Sequence, residues 1–427
     1  MHKPGDKVEV ETTDGVFTGI IMPNENANTL FLKLSSGYNV GIEKKKIKQI
    51  EVLEQFKETA KEKKAEIKDN KNLPTISILH TGGTIASQVD YRTGAVVSKF
   101  TPEDLLRMFP ELHEIANIKS RMIFQMFSED MEPEHWSILA KEVNEEIKKG
   151  VDGVIITHGT DTMGYSSAAL SFALQNLPIP VILVGAQRSS DRPSSDAALN
   201  IIAATKFISK SDFSGVAVCM HKNENDTICL IHSGTNVRKM HTSRRDAFRS
   251  INEMPLAKFW SDGKVDILNK NHKKRNNDEK VIADVKFEPK IALLKAYPGS
   301  EPEILEILAK KGYKGFVIEG TGMGHVPTEA EKTWIPSIKK LIKDGIPVVI
   351  APQTIYGRIN TDVYTNLRVL YHEAKAIPAE DMLPEVAYIK LGWILGHTND
   401  FEEVRKMMFT NISGEITARS EIDNFLV

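Results

Sequence analysis

Short, almost wholly apolar runs alternate with amphipathic segments after Leu73, and this alternation constrains the fold more than any other feature of the sequence. Such runs occupy 75–79, 153–157 and 180–184, and segments with apolar residues at helical spacing separate them. A strand that is apolar along its whole length is buried on both faces, as in a parallel sheet covered by helices. The sequence therefore predicts an α/β fold with parallel sheets over most of its length.

The same alternation returns after a polar interval. Residues 269–280 are mostly Asn, Lys, Arg, Asp and Glu, the composition of an exposed connection between packed units. Beyond it we expect strands at 290–295, 315–319 and 347–351, and helices at 301–311 and 328–343. The prediction is an N-terminal α/β domain at 73–268, a linker at 269–287 and a C-terminal α/β domain at 288–427.

The first 53 residues follow a different pattern. Apolar and polar positions alternate, and turn signals such as Asp14-Gly15 and Ser36-Gly37 interrupt them, which predicts four or five short strands. We therefore expect a small β-barrel domain at 1–53, followed by a linker at 54–72 that is rich in Lys and Glu. A lysine run closes the β unit, and it is either a solvated face or a contact for RNA: Lys44, Lys45, Lys46 and Lys48.

Charge and cysteine content exclude several classes of protein. The chain has 55 Lys and Arg against 57 Asp and Glu, so no overall charge draws it to nucleic acid or to an anionic membrane. Cys219 and Cys229 are too few for a disulfide framework or a structural zinc site, and we expect them in the core. No apolar run approaches the roughly 18 residues of a membrane span. The expectation is a soluble cytoplasmic protein without a metal site.

Two strand ends carry glycines and hydroxyl groups. The run at 75–79 is followed by His80-Thr81-Gly82-Gly83-Thr84-Ile85-Ala86, and the run at 153–157 by His158-Gly159-Thr160-Asp161-Thr162-Met163. Ligands of an open parallel sheet bind at the carboxyl ends of its strands, so these loops are candidates for an active site. Neither loop has the glycine pattern of a phosphate-binding loop.

A third stretch, 233–246, concentrates positive charge and could place a lysine near the threonines. A threonine hydroxyl becomes a nucleophile for an amide or ester carbonyl when a neighbour takes its proton. Threonine, lysine and aspartate together therefore favour acyl transfer. On spacing alone, tight strand-to-helix connections with capping threonines are the favoured interpretation.

The two threonine motifs, Thr81-Gly82-Gly83-Thr84-Ile85-Ala86 and His158-Gly159-Thr160-Asp161-Thr162-Met163, resemble the signature motifs of the L-asparaginase family in order and separation. Val184-Gly185-Ala186-Gln187-Arg188, followed by Ser195-Asp196-Ala197-Ala198-Leu199-Asn200, is also similar to that family. The resemblance runs from about Leu73 toward the end of the chain. It implies two α/β domains, with the catalytic loops on the larger one.

The resemblance also implies roles for individual residues. The acylated threonine of the family corresponds to Thr84, its second threonine to Thr160, and the aspartate and lysine of its threonine-lysine-aspartate relay to Asp161 and Lys239. Lys239 is chosen over Lys222 because Val237-Arg238-Lys239-Met240-His241-Thr242-Ser243 resembles the family's segment. A lysine that acts as a base must be neutral, whereas a nearby carboxylate favours its charged form. The hypothesis therefore includes a closed, dry pocket.

Substrate contacts are implied in the same way. Ser128-Glu129-Asp130-Met131 resembles the loop that holds the amino and carboxylate groups of the substrate, so Ser128 and Glu129 are expected to bind it. Glu129 stands where bacterial asparaginases commonly have glutamine, so glutamine and asparagine both stay open as substrates. Tyr91 lies in the stretch that resembles the mobile flap over the active site.

A β domain in front of an asparaginase-like chain resembles the archaeal GatD family of glutamyl-tRNA(Gln) amidotransferases over the whole length. This resemblance implies release of ammonia from glutamine or asparagine and its transfer to a GatE partner that handles glutamyl-tRNA(Gln). ATP and Mg²⁺ would be used by GatE, with no cofactor in this chain, and a homodimer would form part of a heterotetramer. A free L-asparaginase and a catalytically silent interaction module are the alternatives.

Several arginines surround Lys239, and two roles are open for them. They are Arg238, Arg244, Arg245 and Arg249. They could meet tRNA phosphates or carboxylates of a partner, or they could form ion pairs within the chain.

Overall fold

Three groups of secondary-structure elements follow one another in the computed structural model. It describes residues 2–22, 28–34, 39–55, 69–83, 88–89, 96–97, 109, 111–188, 195–276 and 278–426. Thr84, Tyr91 and most of the linker expected at 54–72 lie outside these ranges. No helix within them is long and apolar enough to cross a membrane.

The N-terminal group is a five-stranded antiparallel sheet in the order β4-β3-β2-β1-β5. Its strands are β1 (Lys7–Thr12), β2 (Gly15–Met22), β3 (Thr29–Leu34), β4 (Asn39–Glu43) and β5 (Ile47–Glu54), with a 3₁₀ turn at Lys44–Lys46. Alternate residues of β1 are buried, and Val8 and Val10 pack on Leu32 in a core of their own. The expectation of a small all-β unit with four or five strands is confirmed.

The second group forms the central sheet and its helices. Its strands are β6 (Thr75–Gly82), β7 (Gln88–Val89), β8 (Val96–Val97), β9 (Asn117–Met126), β10 (Gly153–Thr157), β11 (Leu174–Gln175), β12 (Pro180–Val184), β13 (Gly215–His221), β14 (Ile228–Ser233), β15 (Val237–Lys239), β16 (Phe248–Ser250), β17 (Ala257–Trp260), β18 (Val265–Ile267) and β19 (Ile282–Ala283). The helices are α1 (Leu112–Ile115), α2 (Pro133–Lys148), α3 (Met163–Ala173) and α4 (Ala197–Lys210), with a 3₁₀ turn at Ser128–Asp130.

The central sheet has eight strands in the order β18-β17-β14-β13-β12-β10-β6-β9. The strands from β13 to β9 are parallel, as the apolar runs predict, but β14, β17 and β18 add an antiparallel edge. The physical reason is the short turn between His221 and Ile228, because a parallel crossover needs a dozen or more residues.

Helices cover both faces of this sheet. Ile155 packs in the cluster that contains Phe207 of α4, whereas its neighbour Ile156 packs in the cluster that contains Leu139 of α2 and Leu170 of α3. Successive side chains of a strand point to opposite faces, so Ile155 and Ile156 meet helices on opposite sides of the sheet. This explains why the run at 153–157 is almost wholly apolar.

The third group is a smaller parallel sheet, in the order β20-β21-β22-β23, and its helices. Its elements are β20 (Ile291–Lys295), α5 (Glu303–Lys310), β21 (Gly315–Gly320), α6 (Ile335–Lys343), β22 (Val348–Pro352), α7 (Thr365–Arg368), a π-helical turn (Val369–Glu373), β23 (Ile377–Pro378), α8 (Pro384–Leu395), α9 (Phe401–Phe409) and a 3₁₀ turn (Ile422–Asn424). Phe172 of α3 and Trp393 of α8 stack with their ring centroids 6.2 Å apart. The two α/β groups therefore share a packed interface.

One expected helix is shorter than predicted. The helix expected at 328–343 begins only at Ile335, and Pro336 stands in its first turn. Proline lacks the N–H that a helix interior requires, and its ring collides with the preceding turn. Pro336 therefore fits a helix start and prevents helix from the earlier residues continuing through it.

Candidate active site

The central sheet reverses its strand order between β6 and β10. From β6 the chain continues to β9 on one side and then crosses to β10, which pairs with β6 on the other side. Connections that leave two neighbouring strands in opposite directions open a crevice at their carboxyl ends. Both threonine motifs begin at these strand ends, so the fold brings them to one crevice.

Three loops meet closely at this crevice. Gly83 has a φ of +76°, and a Cβ atom there would lie 2.5 Å from the backbone N of Gly159. A Cβ atom on Gly159 would lie 2.6 Å from Oγ of Ser128. Only glycine permits such a close approach of backbone to its neighbours. The residues just before Thr84 and Thr160 are thereby packed against each other.

A lysine, a threonine and an aspartate form a hydrogen-bonded group beside these loops. Lys239 Nζ donates to Oγ1 of Thr160 at 2.9 Å and to Oδ1 of Asp161 at 2.7 Å. Lys239 is the last residue of β15, and the pairing of β15 with β16 places it opposite Phe248. Among the described lysines, Lys239 is the one that contacts these two residues, whereas Lys222 is exposed beyond β13. Three of the four residues expected in the relay are therefore together, and their catalytic roles stay predictions.

Exposure differs sharply within this group. The side chain of Lys239 is 14% exposed and that of Asp161 is 66% exposed, while Thr160 is buried. An ion pair with one partner this exposed gains little free energy, about 1 kcal/mol or less. Lys239 Nζ is the donor to both oxygens. The closed, dry pocket expected for a neutral lysine is not formed around Asp161 by the residues that the structure describes.

The loop expected to hold the substrate lies against the relay. Ser128 and Glu129 are on the 3₁₀ turn that follows β9. Ser128 is buried, and its backbone carbonyl accepts a hydrogen bond from Oγ1 of Thr162 at 2.6 Å. Glu129 is exposed at the rim. Substrate contacts of both residues stay predictions.

Two buried histidines support the loops, and the sequence interpretation gave them no role. His80 Nδ1 lies 2.9 Å from Oγ1 of Thr157, and its Nε2 lies 2.7 Å from Oγ of Ser120. His158 Nδ1 lies 2.7 Å from the carbonyl oxygen of Gly159. Burial lowers the pKa of both His80 and His158 to about 4, so both are neutral at pH 7. The signal that could have found them is a histidine directly after each apolar run.

The basic residues near the site are ion-paired within the chain. Arg238 pairs with Glu385, Arg244 and Arg249 pair with Asp246, and Arg245 pairs with Asp226. At the N-terminal unit, Lys45 pairs with Glu43, Lys46 with Asp14 and Lys48 with Glu11. Of the two alternatives for the arginines, the structure shows the internal ion pairs, which hold the segment around Lys239.

Two predicted site residues cannot be placed. Thr84, the expected nucleophile, and Tyr91, the expected flap residue, lie outside the described residues. Within the described part of the chain, no three His, Cys, Asp or Glu side chains form a group that could hold a metal ion.

Family models match three stretches of the chain. A model described as GatD N-terminal domain matches residues 2–53, one described as Asparaginase, N-terminal matches 75–273, and one described as Glutaminase/Asparaginase C-terminal domain matches 290–408. The order of the three matches is that of the three groups of elements.

Solved structures share the fold of the two α/β groups. The thermostable L-asparaginase from Thermococcus kodakarensis is 35% identical with a TM-score of 0.72, and the match covers 81% of this chain and 99% of that one. L-asparaginase I from Vibrio cholerae is 27% identical with a TM-score of 0.71 at the same coverage. The expected two-domain asparaginase-like fold is confirmed.

Curated relatives match over the full length. The GatD subunit of glutamyl-tRNA(Gln) amidotransferase from Pyrococcus furiosus is 53% identical, covering 99% of this chain and 94% of the relative. Proteins of the same name from Thermococcus kodakarensis and Methanothermobacter thermautotrophicus are 52% and 48% identical, covering 99% of this chain and 96% and 95% of the relatives. The resemblance expected from the sequence is therefore confirmed, and this chain belongs to the asparaginase-like GatD family of glutamyl-tRNA(Gln) amidotransferases.

Proposed function

We propose that this protein is the ammonia-releasing subunit of an enzyme that converts glutamyl-tRNA(Gln) to glutaminyl-tRNA(Gln). The observation that carries the proposal is the contact of Lys239 with both Thr160 and Asp161 at the crevice. The name of the full-length relatives supplies the tRNA-linked role, and the hydrogen-bonded group supplies chemistry suited to opening an amide.

The proposed reaction proceeds through a threonine ester. The Thr84 hydroxyl attacks the side-chain amide carbon of glutamine, and its proton passes to the relay. The carbon–nitrogen bond then breaks, and the amide nitrogen takes a proton and leaves as ammonia. Water opens the ester, which yields glutamate and restores the hydroxyl. Backbone N–H groups of the glycine loop would stabilise the oxyanion, and the packing of Gly83 on Gly159 supports a rigid loop there.

The relay itself needs a change of protonation. Lys239 accepts a proton only after its Nζ has lost one, and the carboxylate of Asp161 lies 2.7 Å from that nitrogen. Tyr91, which the resemblance assigns to the flap over the active site, would help to exclude water from the relay. The direct hydrogen bond from Lys239 to Thr160 supports Thr160 as the hydroxyl that this lysine serves.

The proposal includes a partner. Ammonia would pass to GatE, which would bind glutamyl-tRNA(Gln) and use ATP and Mg²⁺ to activate it, while this chain carries no cofactor. This chain would form a homodimer within a heterotetramer and act in the cytoplasm. Both L-glutamine and L-asparagine are candidate donors, with Ser128 and Glu129 in contact with the amino and carboxylate groups.

A free L-asparaginase is the second candidate, because the solved structures with this fold are L-asparaginases. The match of residues 2–53 to the GatD N-terminal domain argues for the coupled enzyme instead. The intact group of Thr160, Asp161 and Lys239 argues against a catalytically silent module.

Ammonia release from L-glutamine and from L-asparagine tests these alternatives, measured with and without GatE and charged tRNA. Strong stimulation by GatE and tRNA is expected, whereas fast hydrolysis of asparagine without a partner would instead identify a free asparaginase. Thr84→Ala is expected to lower the rate by about 10³-fold or more with the fold unchanged. The exposed Thr410→Ala is the matched control, and wild-type activity of Thr84→Ala would overturn the nucleophile assignment.

A further inference from the structure

A cavity of about 440 Å³ lies at the edge of the central sheet opposite to the crevice of Thr160. It is lined where β12 and β13 begin and where β14 ends, by residues that include Leu177, Gly215 and Ser233. Ser413 of the C-terminal segment closes one side. The proposed catalysis uses none of these residues, so the cavity is separate from the candidate active site.

Glu253 brings an incompletely paired carboxylate to this cavity. Glu253 lines this cavity, and among the described residues its Oε1 has no hydrogen-bond partner. Burial, reinforced by the nearby Asp381, raises the pKa of Glu253 to about 7. A buried acceptor without a donor costs free energy, and the carboxylate of Glu253 can offset that cost by accepting hydrogen bonds from a ligand in the cavity.

The serine hydroxyls of the lining point to the same kind of ligand. Ser171 Oγ donates to the carbonyl oxygen of Ser167 at 2.7 Å, and Ser413 Oγ donates to that of Ser171 at 2.6 Å. Ser214 Oγ donates to the carbonyl oxygen of Leu177. A hydroxyl has one proton and two lone pairs, so these three oxygens can still accept but have no further proton to give.

The cationic side chains of the lining are already engaged. Lys273 Nζ donates to Oε2 of Glu279 at 2.6 Å. His272 Nε2 lies 2.6 Å from Oδ1 of Asp212, and its Nδ1 lies 3.0 Å from the carbonyl oxygen of Asn269. Neither side chain neutralises Glu253 from within the cavity. The lining therefore offers hydroxyl and carboxylate acceptors beside the side-chain amides of Gln175, Asn176, Asn269 and Asn271, and Glu253 is its one carboxylate.

We propose that this cavity binds a primary ammonium group, which is a compact cation with hydrogen-bond donors and no acceptor. Glu253 supplies the charge-assisted hydrogen bond, and the serine oxygens accept the remaining protons. Inorganic ammonium and the amino group of a small amine or amino acid share this chemistry. The proposal does not depend on the proposed function.

Isothermal titration of the full-length chain with methylammonium chloride, at constant ionic strength, tests this site. Binding is expected for the wild type, and Glu253→Gln is expected to weaken it at least about tenfold, since a charged hydrogen bond becomes a neutral one. Ser413→Ala removes one of the accepting serine oxygens and should also weaken binding. This second variant keeps the test decisive if Glu253→Gln does not fold. Glu145→Gln, an exposed carboxylate on α2 away from this cavity, is the matched control and should bind as the wild type does.

Titration with further ligands shows whether the site prefers inorganic ammonium or the amino group of an amino acid. If ammonium binds more tightly than methylammonium and L-alanine, the ligand of the cavity is the inorganic ion. If L-alanine binds more tightly than the other two, the ligand is an amino acid. Tetramethylammonium has no N–H group and is expected not to bind. Equal binding of tetramethylammonium, undiminished binding by Glu253→Gln, or no heat with about 100 mM methylammonium would each overturn the proposal.

Discussion

Lys239 Nζ lies 2.7 Å from Oδ1 of Asp161, although 78 positions of the chain separate the two residues. The same nitrogen reaches Oγ1 of Thr160 at 2.9 Å. The contact depends on β15, which carries the lysine back across the sheet to the loop that follows β10. Lys239, which the sequence favoured over Lys222, therefore makes direct hydrogen bonds to Thr160 and Asp161.

Lys239→Met is expected to lower amide hydrolysis by about 10²-fold or more, because it removes the group that exchanges a proton with Thr160. The fold should persist, since methionine retains most of the buried stem of the side chain. Ammonia release and circular dichroism measure the two effects. Lys222→Met is the matched control and should retain activity; a loss in Lys222→Met with none in Lys239→Met would show that the other lysine is the functional one.

Gly83→Ala is expected to destabilise the protein more than Gly150→Ala. The two glycines have φ values of +76° and +77°, so a left-handed alanine costs about 1 kcal/mol in both variants. A Cβ atom on Gly150 meets nothing within 4 Å, whereas one on Gly83 meets the backbone of Gly159. Overpacking should add about 1–3 kcal/mol at Gly83 and displace the catalytic loop. Urea unfolding and ammonia release test this, and equal effects of the two variants would contradict the packing of the loops.

Acid should weaken the fold through its buried histidines. The pKa of His158 is lowered by burial from 6.5 to about 4, so the unfolded chain binds more protons than the folded chain between these values. The contribution of His158 to stability is therefore complete above pH 6.5 and is lost as the pH falls toward 4. His158→Gln should flatten the pH dependence of the free energy of unfolding in this window, whatever its effect at pH 7. His2→Gln, at an exposed position, should leave the slope unchanged; an unchanged slope in His158→Gln would refute this contribution.

Glu415→Gln is expected to destabilise the protein by about 3–5 kcal/mol, because it leaves a buried ammonium without its counter-ion. Lys390 Nζ lies 2.6 Å from Oε1 of Glu415, and both side chains are fully buried. Glu421, which pairs with Arg419 on the surface, is the control, and Glu421→Gln should cost less than about 1 kcal/mol. Urea unfolding of both variants makes the comparison, and similar losses would show that the buried pair contributes no more than the surface pair.

Local pattern was sufficient for the strands that lie inside the central sheet. The runs at 153–157 and 180–184 have the bounds of β10 and β12. Burial on both faces leaves such a strand almost wholly apolar, so its ends are visible in the sequence. The antiparallel edge was not predicted, since β14 is also almost wholly buried and its direction depends only on the length of the turn before it.

The sequence by itself determined the α/β class, the β unit in front of it, and the strand ends where hydroxyl groups and glycines collect. Only the tertiary structure decided that the ends of β6 and β10 share one crevice and that Lys239 rather than Lys222 reaches it. Hydrophobic periodicity reports which residues are buried, and it does so over a few residues at a time. The approach of Lys239 to Asp161 depends instead on the order of the strands and on the connections between them. These bring together residues that are far apart in the chain, and hydrophobic periodicity over a few residues carries no information about them.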